Sequence, residues 1–144
     1  GEDNEKCKTL KKIKEELTIK EGMILVTYRR TIENVVLVPP HWNNWAMTHD
    51  IIRLIPQDSM QGYLYIWLQS DYALRLLQSK AYGSVVSHIE KYHIEEIPVP
   101  LLKNINVQKS INDLAIEAIQ KRYEAYQLEQ EALRIMNEEV IYAK

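Results

Sequence analysis

From Ile105 to Tyr142 the sequence contains no proline and no glycine, and alanine, glutamate, glutamine and lysine dominate it. These are strong helix formers. The stretch predicts a single helix about 57 Å long at 1.5 Å per residue. A domain of ~100 residues has a radius of gyration of only ~13 Å, so the rest of the chain cannot cover such a helix. Two heptad stripes run along it. One carries Ile111, Ala118, Ala125 and Ala132 alternating with Leu114, Lys121, Leu128 and Ile135. The other carries Ile116, Tyr123, Gln130 and Asn137 alternating with Ile119, Tyr126, Leu133 and Val140. The stripes are about 140° apart around the helix. Either the apolar arc is wide, or two arcs face different partners. Alanines let another helix approach closely, and Gln130 and Asn137 can fix register. Leu114, Ala118, Ala125, Leu128, Ala132 and Ile135 are the expected subunit-interface residues. The plainer alternative is a bundle helix packed on its own domain.

The preceding residues, 1–103, read as a small mixed α+β domain, and residues 104–144 as the helix for spacing and assembly. Residues 5–17 place Leu10, Ile13 and Leu17 on one helical stripe, with Lys6, Lys8, Lys11, Lys12 and Lys14 around it. Gly22 breaks that pattern. Met23–Tyr28 is apolar and β-branched, a buried strand. Arg29–Asn34 reads as a polar turn and Val35–Val38 as the returning strand, making a hairpin. Pro39-Pro40 ends it. A loop follows, His41-Trp42-Asn43-Asn44-Trp45, and then a third strand over Asp50–Ile55, stopped by Pro56. Two helices are expected at Gly62–Gln69 and Asp71–Lys80, with Ser70 as N-cap of the second. Their core residues are Leu64, Trp67, Leu68, Leu74 and Leu77; Tyr63, Tyr65 and Tyr72 are expected to keep a polar end in water. Gly83-Ser84 opens an apolar and basic loop through His88, Lys91 and Tyr92. Ile94–Ile97 reads as a short edge strand ended by Pro98-Val99-Pro100, since proline lacks the N–H that a sheet needs.

The balance of residues excludes several classes. No apolar run approaches the roughly 18 residues of a membrane span, and no signal-peptide pattern opens the chain. Cys7 is the only cysteine. With no disulfide available, a cytoplasmic protein is expected. The net charge is −2, and residues 1–103 hold 13 basic and 13 acidic residues. A nucleic-acid face therefore has to come from local clustering. The four glycines are isolated, so no phosphate-binding loop exists. His41, His49, His88 and His93 lack metal-site spacing. No catalytic residue, metal or cofactor is expected.

The binding signals are better. Arg29 and Arg30 sit side by side at the expected hairpin tip, before Thr31; the guanidinium fork suits phosphates and guanine edges. An exposed pair making surface ion pairs is the alternative. Asn43 and Asn44 carry amides able to meet base edges, in adenine's case bidentately; alternatively both tryptophans pack into the core and the asparagines only turn the chain. His49 lies before the third strand. Ser84 and the Gly83 backbone offer phosphate donors, or else cap the preceding helix. Lys91 adds a charge.

The order Tyr82-Gly83-Ser84, His88-Ile89, Ile97-Pro98-Val99-Pro100, Gln108 and then a helix resembles the end of a target recognition domain in the specificity subunit of type I restriction-modification enzymes. Two further stretches resemble that family in the same order. Gly22 to Glu33 follows its glycine, apolar strand and Gly-Thr-Ile-Gly pattern, with Thr31-Ile32 present and Arg30 and Glu33 in place of both glycines. Gly62 to Ser70 follows its Tyr-Leu, apolar helix, Ser pattern. The likeness spans about residues 20 to 142 and corresponds to the C-terminal part of one such domain with its long helix. It implies a non-catalytic reader of double-stranded DNA that directs DNA methyltransferase and nuclease subunits. The implied DNA contacts are Arg29, Arg30, Thr31, Asn43, Asn44, His49, Ser84 and Lys91. The helix is then a spacer of about one and a half turns of B-DNA, contacting methyltransferase subunits and, in a homodimer, a second copy. Two rival readings stand beside this one: the recognition domain of a fused restriction-methyltransferase polypeptide, and a module that dimerises through the helix without touching DNA.

Overall fold

A computed structural model describes residues 2–29, 31–48, 50–81 and 89–143. Helix α1 (Glu2–Leu17) leads to strands β1 (Ile24–Arg29), β2 (Thr31–Leu37) and β3 (Ile51–Leu54). Helices α2 (Gln61–Gln69), α3 (Asp71–Ala81), α4 (Lys91–Glu95) and α5 (Ile105–Ile135) follow. The α+β class expected from the sequence is what the chain adopts: one three-stranded antiparallel sheet, short helices and one long C-terminal helix.

The sheet order is β2-β1-β3, both pairings antiparallel. Because side chains alternate across a strand, the apolar run of β1 serves two faces. Ile24 and Val26, with their partners Leu37 and Val35, join the larger core with Leu68 and Leu77. Leu25 faces the other way, with Ile19 and Val38, beneath Met23, Trp42 and Met47. Helices cover one side and the segments at 17–19 and 42–47 cover the other, so both faces of the central strand are buried. Strand β2 begins at Thr31 and is not preceded by the six-residue turn expected from the sequence. Thr27 pairs with Asn34 and Arg29 with Thr31, with a bulge between them. The ladder takes in residues whose polarity alone reads as a loop.

Helix α2 is apolar around most of its girth because it lies between the sheet and α5. Gly62, Tyr63, Tyr65 and Leu68 are buried. Tyr63 and Tyr65 thus lie deeper than expected, with their hydroxyls satisfied inside: Tyr63 donates to the Pro100 carbonyl and Tyr65 accepts from Arg122 at 3.4 Å. Tyr72 is exposed, as expected. Ser70 caps α3, accepting from the Ala73 N–H at 3.2 Å and donating to the Trp67 carbonyl at 2.7 Å.

Ile94–Ile97 is not an edge strand. Residues Lys91–Glu95 form α4, which opens with a reciprocal capping box between Glu90 and His93. Helical spacing then puts His93, Ile94 and Ile97 in the interior together. Lys80 ties α3 to Glu96 at 2.5 Å, and this bond holds the Glu96 carboxyl below its ordinary value. The Pro98-Val99-Pro100 exit leads to Asn104, whose side chain caps α5 through the Asn106 and Val107 N–H groups.

Helix α5 spans about 46 Å and continues as a π-helical turn over Met136–Ile141. Its two stripes face different ways. Ala115 and Ile119 enter the larger core, and Tyr123 and Tyr126 stack on His41 at ring-centroid distances of 5.5 and 4.1 Å. The opposite stripe stays in water, with Leu114 66% and Leu128 73% exposed. From Gln127 to Ala143 every residue is exposed.

Candidate nucleic-acid interface

The sheet registers decide which candidate residues come together. Ile51, the first residue of β3, pairs with Thr27, whereas β1 runs on to Arg29 and pairs there with Thr31. The β1–β2 ribbon therefore extends two residues past the edge strand, an overhang of about 7 Å at the rise of a strand. The chain reaches β3 at this same end through Thr48 and Asp50, both exposed. Arg29 and Thr31 are placed by their backbone at the ribbon tip. Arg30, His49 and Ser84 lie outside the described residues.

Asn43 and Asn44 lie elsewhere. The sheet end that carries Ile24, Leu37 and Leu54 faces away from the ribbon tip, and the loop after Leu37 is anchored there. Asn44 donates its N–H to the Ile19 carbonyl at 2.9 Å, and Ile19 donates to the Trp45 carbonyl at 2.8 Å. Ile24 and Arg29 are separated by about 17 Å of strand. The Asn43 side-chain oxygen accepts from the Glu21 N–H at 3.0 Å, and that of Asn44 accepts from the Lys20 ammonium. Asn44 has φ 70°, a left-handed conformation that asparagine tolerates better than most residues. Both oxygens thus serve the fold. A bidentate adenine contact needs oxygen and nitrogen together, so the side chains in this arrangement offer base edges their amide N–H groups.

Three features of this region went unread in the sequence. Lys20 is exposed and meets Asn44, which brings a cation to the asparagine loop. Trp42 and Trp45 stack at 5.5 Å with 16° between their planes; Trp42 packs on the second core while Trp45 is 49% exposed. Nothing in two identical residues three apart says which is buried. His41 joins this pair to α5, 5.9 Å from Trp42 and 4.1 Å from Tyr126. The aromatic run at 41–45, read as a recognition loop, is thus also a clamp on the helix.

Lys91 opens α4, fully in solvent, with Glu95 at 3.6 Å. Exposed pairs at this spacing are weak and leave the ammonium free to move to an anion. On α1, Lys8, Lys11, Lys12 and Lys14 are exposed, and so are Glu15 and Glu16, as a solvated face requires. Among the described residues no cluster of His, Cys, Asp and Glu has the geometry to hold a metal. No described helix is long and apolar enough to cross a membrane.

The fold and this geometry define the class: an α+β domain with a protruding two-stranded ribbon and a helix that projects beyond the domain. No protein-family model matches the chain, and no curated protein matches it significantly in sequence.

Proposed function

We propose that the chain is a sequence-specific DNA recognition module of a type I restriction-modification system, non-catalytic, reading double-stranded DNA and directing partner methyltransferase and nuclease subunits. One observation supports the reading above the others. The β1–β2 ribbon overhangs the sheet, and a two-stranded ribbon is an element that the major groove of B-DNA admits. Arg29 and Thr31 pair across its tip, with Arg30 between them in sequence. Arginine at a ribbon tip supplies phosphate and guanine-edge contacts. The projecting helix supports the assembly half of the reading, because a domain without partners has no use for exposed Leu114, Leu128 and Ile135.

The near-neutral charge fits a reader that draws much of its affinity from associated subunits, since phosphate neutralisation drives non-specific binding. The test is a fluorescence-anisotropy titration with a labelled random-sequence duplex at about 50 and 200 mM salt, where such binding changes steeply. Arg29→Ala/Arg30→Ala is run beside the unchanged chain. Salt-sensitive binding that the double variant loses is the expected result. Equal affinity for the two proteins would remove the ribbon tip from the interface.

A further inference from the structure

We propose that Trp45 is a stacking platform for an unpaired base of a single-stranded nucleic acid, a second contact at the end of the sheet away from the ribbon tip. Trp42 to Trp45 form a closed turn, in which Trp45 donates its N–H to the Trp42 carbonyl at 3.0 Å. Asn43 at φ −58° and ψ 130°, followed by Asn44 at φ 70°, has the angles of a type II turn. The turn lays the two indoles face to face, 5.5 Å apart with 16° between their planes. Trp42 is anchored on the second core, His41 stands edge-on to Trp45 at 6.4 Å, and the Ile19 N–H pins the Trp45 carbonyl at 2.8 Å. Trp45 is nevertheless 49% exposed: one ring face lies against Trp42 and the other is open to water. A ring held in this way loses little freedom when a ligand covers it, and every base has a face that can continue the stack.

The rim of the platform selects a base. The side-chain oxygens of Asn43 and Asn44 are taken by the Glu21 N–H and the Lys20 ammonium, which leaves their amide N–H groups as donors beside the ring. Such donors suit the acceptors on a base edge, thymine O4 or guanine O6 and N7. Lys20, held at Asn44, brings a cation within reach of a phosphate, while the neighbouring Glu21, also exposed, offsets its charge. With the local charge near zero, affinity has to come from stacking and not from phosphate neutralisation, so the part that depends on the base should vary little with salt. A duplex hides the faces of its bases inside the stack. The site at Trp45 therefore takes unpaired bases, whereas the ribbon tip takes a groove.

This inference rests on the nucleic-acid reading of the proposed function. It is tested with the full chain and two labelled strands, an oligo(dT) about ten nucleotides long, within the range that one small domain covers, and an abasic strand of equal length and charge. Oligo(dT) should bind roughly tenfold tighter than the abasic strand, as one stacked base gives. Trp45→Ala should bring both probes to the abasic level, Trp45→Phe should keep part of the preference, and Arg29→Ala/Arg30→Ala should leave it unchanged, with folding checked by circular dichroism. In the unchanged chain the Trp45 indole N–H resonance should move on adding oligo(dT) and not on adding the abasic strand, a readout that needs no variant. Equal affinity for the two strands, a preference that survives Trp45→Ala, or no oligo(dT) binding at about 50 mM salt would each overturn the inference. So would a Trp45-dependent affinity for cellohexaose as high as that for oligo(dT), which would make the platform a sugar site. Duplex binding through the ribbon arginines without stacking at Trp45 sinks this proposal alone, and oligo(dT) binding at Trp45 without duplex binding sinks the ribbon reading alone.

Discussion

Asn112 caps a helix to which it does not belong. The first turn of α2 has no local side-chain cap, because the Met60 side chain makes no cap hydrogen bond and its sulfur accepts instead from the Gln108 amide at 3.3 Å. Asn112 on α5 accepts from the Gly62 N–H at 2.8 Å and the Tyr63 N–H at 3.1 Å. That contact needs glycine at 62, since a Cβ there would lie 2.3 Å from the Asn112 carbonyl oxygen. Gly62→Ala is expected to cost about 1–3 kcal/mol, the range for overpacking a close contact, and Asn112→Ala about 1 kcal/mol; thermal melts followed by circular dichroism measure both. The cap at Ser70 was legible because cap and helix are adjacent in sequence. The cap at Asn112 was not, because its donors lie about fifty residues away. Ionic pairs also act at this scale. Hydrogen bonds from Lys109 and Arg134 hold Asp113 and Glu131 below the ordinary carboxylate values, as Lys80 does for Glu96. A carboxyl lowered by folding favours the folded state at pH above its unfolded value, and that contribution is lost as pH falls through the folded one. A pH titration of the melting temperature should therefore be flat near neutrality and fall below the ordinary carboxylate range. A rise on acidification would contradict these pairs.

Among the elements, α5 shows what periodicity can and cannot tell. Both stripes were readable as heptads, but not which one the domain takes. That choice depends on Gly62 admitting the Asn112 backbone and on His41 stacking against Tyr126, both long-range contacts. The assignment predicts an asymmetry. Leu128→Asp, on the outward stripe, should leave stability within about 0.5 kcal/mol, as surface changes do. Ile119→Ala, on the inward stripe, should cost about 2–4 kcal/mol, and chemical denaturation separates the two. Ile94–Ile97 illustrates the opposite failure. Two isoleucines just before the prolines read as a short strand, yet the Glu90–His93 capping box decides for a helical turn. A side-chain cap formed by glutamate and histidine carries no strong signal in sequence. The β1–β2 ribbon was legible as a hairpin, but its length was not, since Thr31 and Asn34 join the ladder through pairing with Arg29 and Thr27 across a bulge, and Glu33 and Asn34 are poor strand formers.

At the scale of the whole molecule, two surfaces point to two tasks. The ribbon tip and the chain before β3 share one end of the sheet, while the outward face of α5 continues past the domain. The loop at 41–45 ties α5 to the far end of the sheet, bonded to residues 19–21 on one side and stacked on α5 on the other. His41→Ala should therefore loosen the helix from the domain, read as faster amide exchange around Tyr123 and Tyr126 with β1 unaffected. The central claim, that the ribbon end of the sheet reads DNA, is met most directly by mapping amide chemical shifts of the full chain by NMR as a short duplex is added. The prediction is that shifts concentrate at Arg29–Thr31 and at the residues leading into Ile51, leaving Leu114, Leu128 and Ile135 unmoved. Shifts confined to α5, or none at low salt, would contradict it.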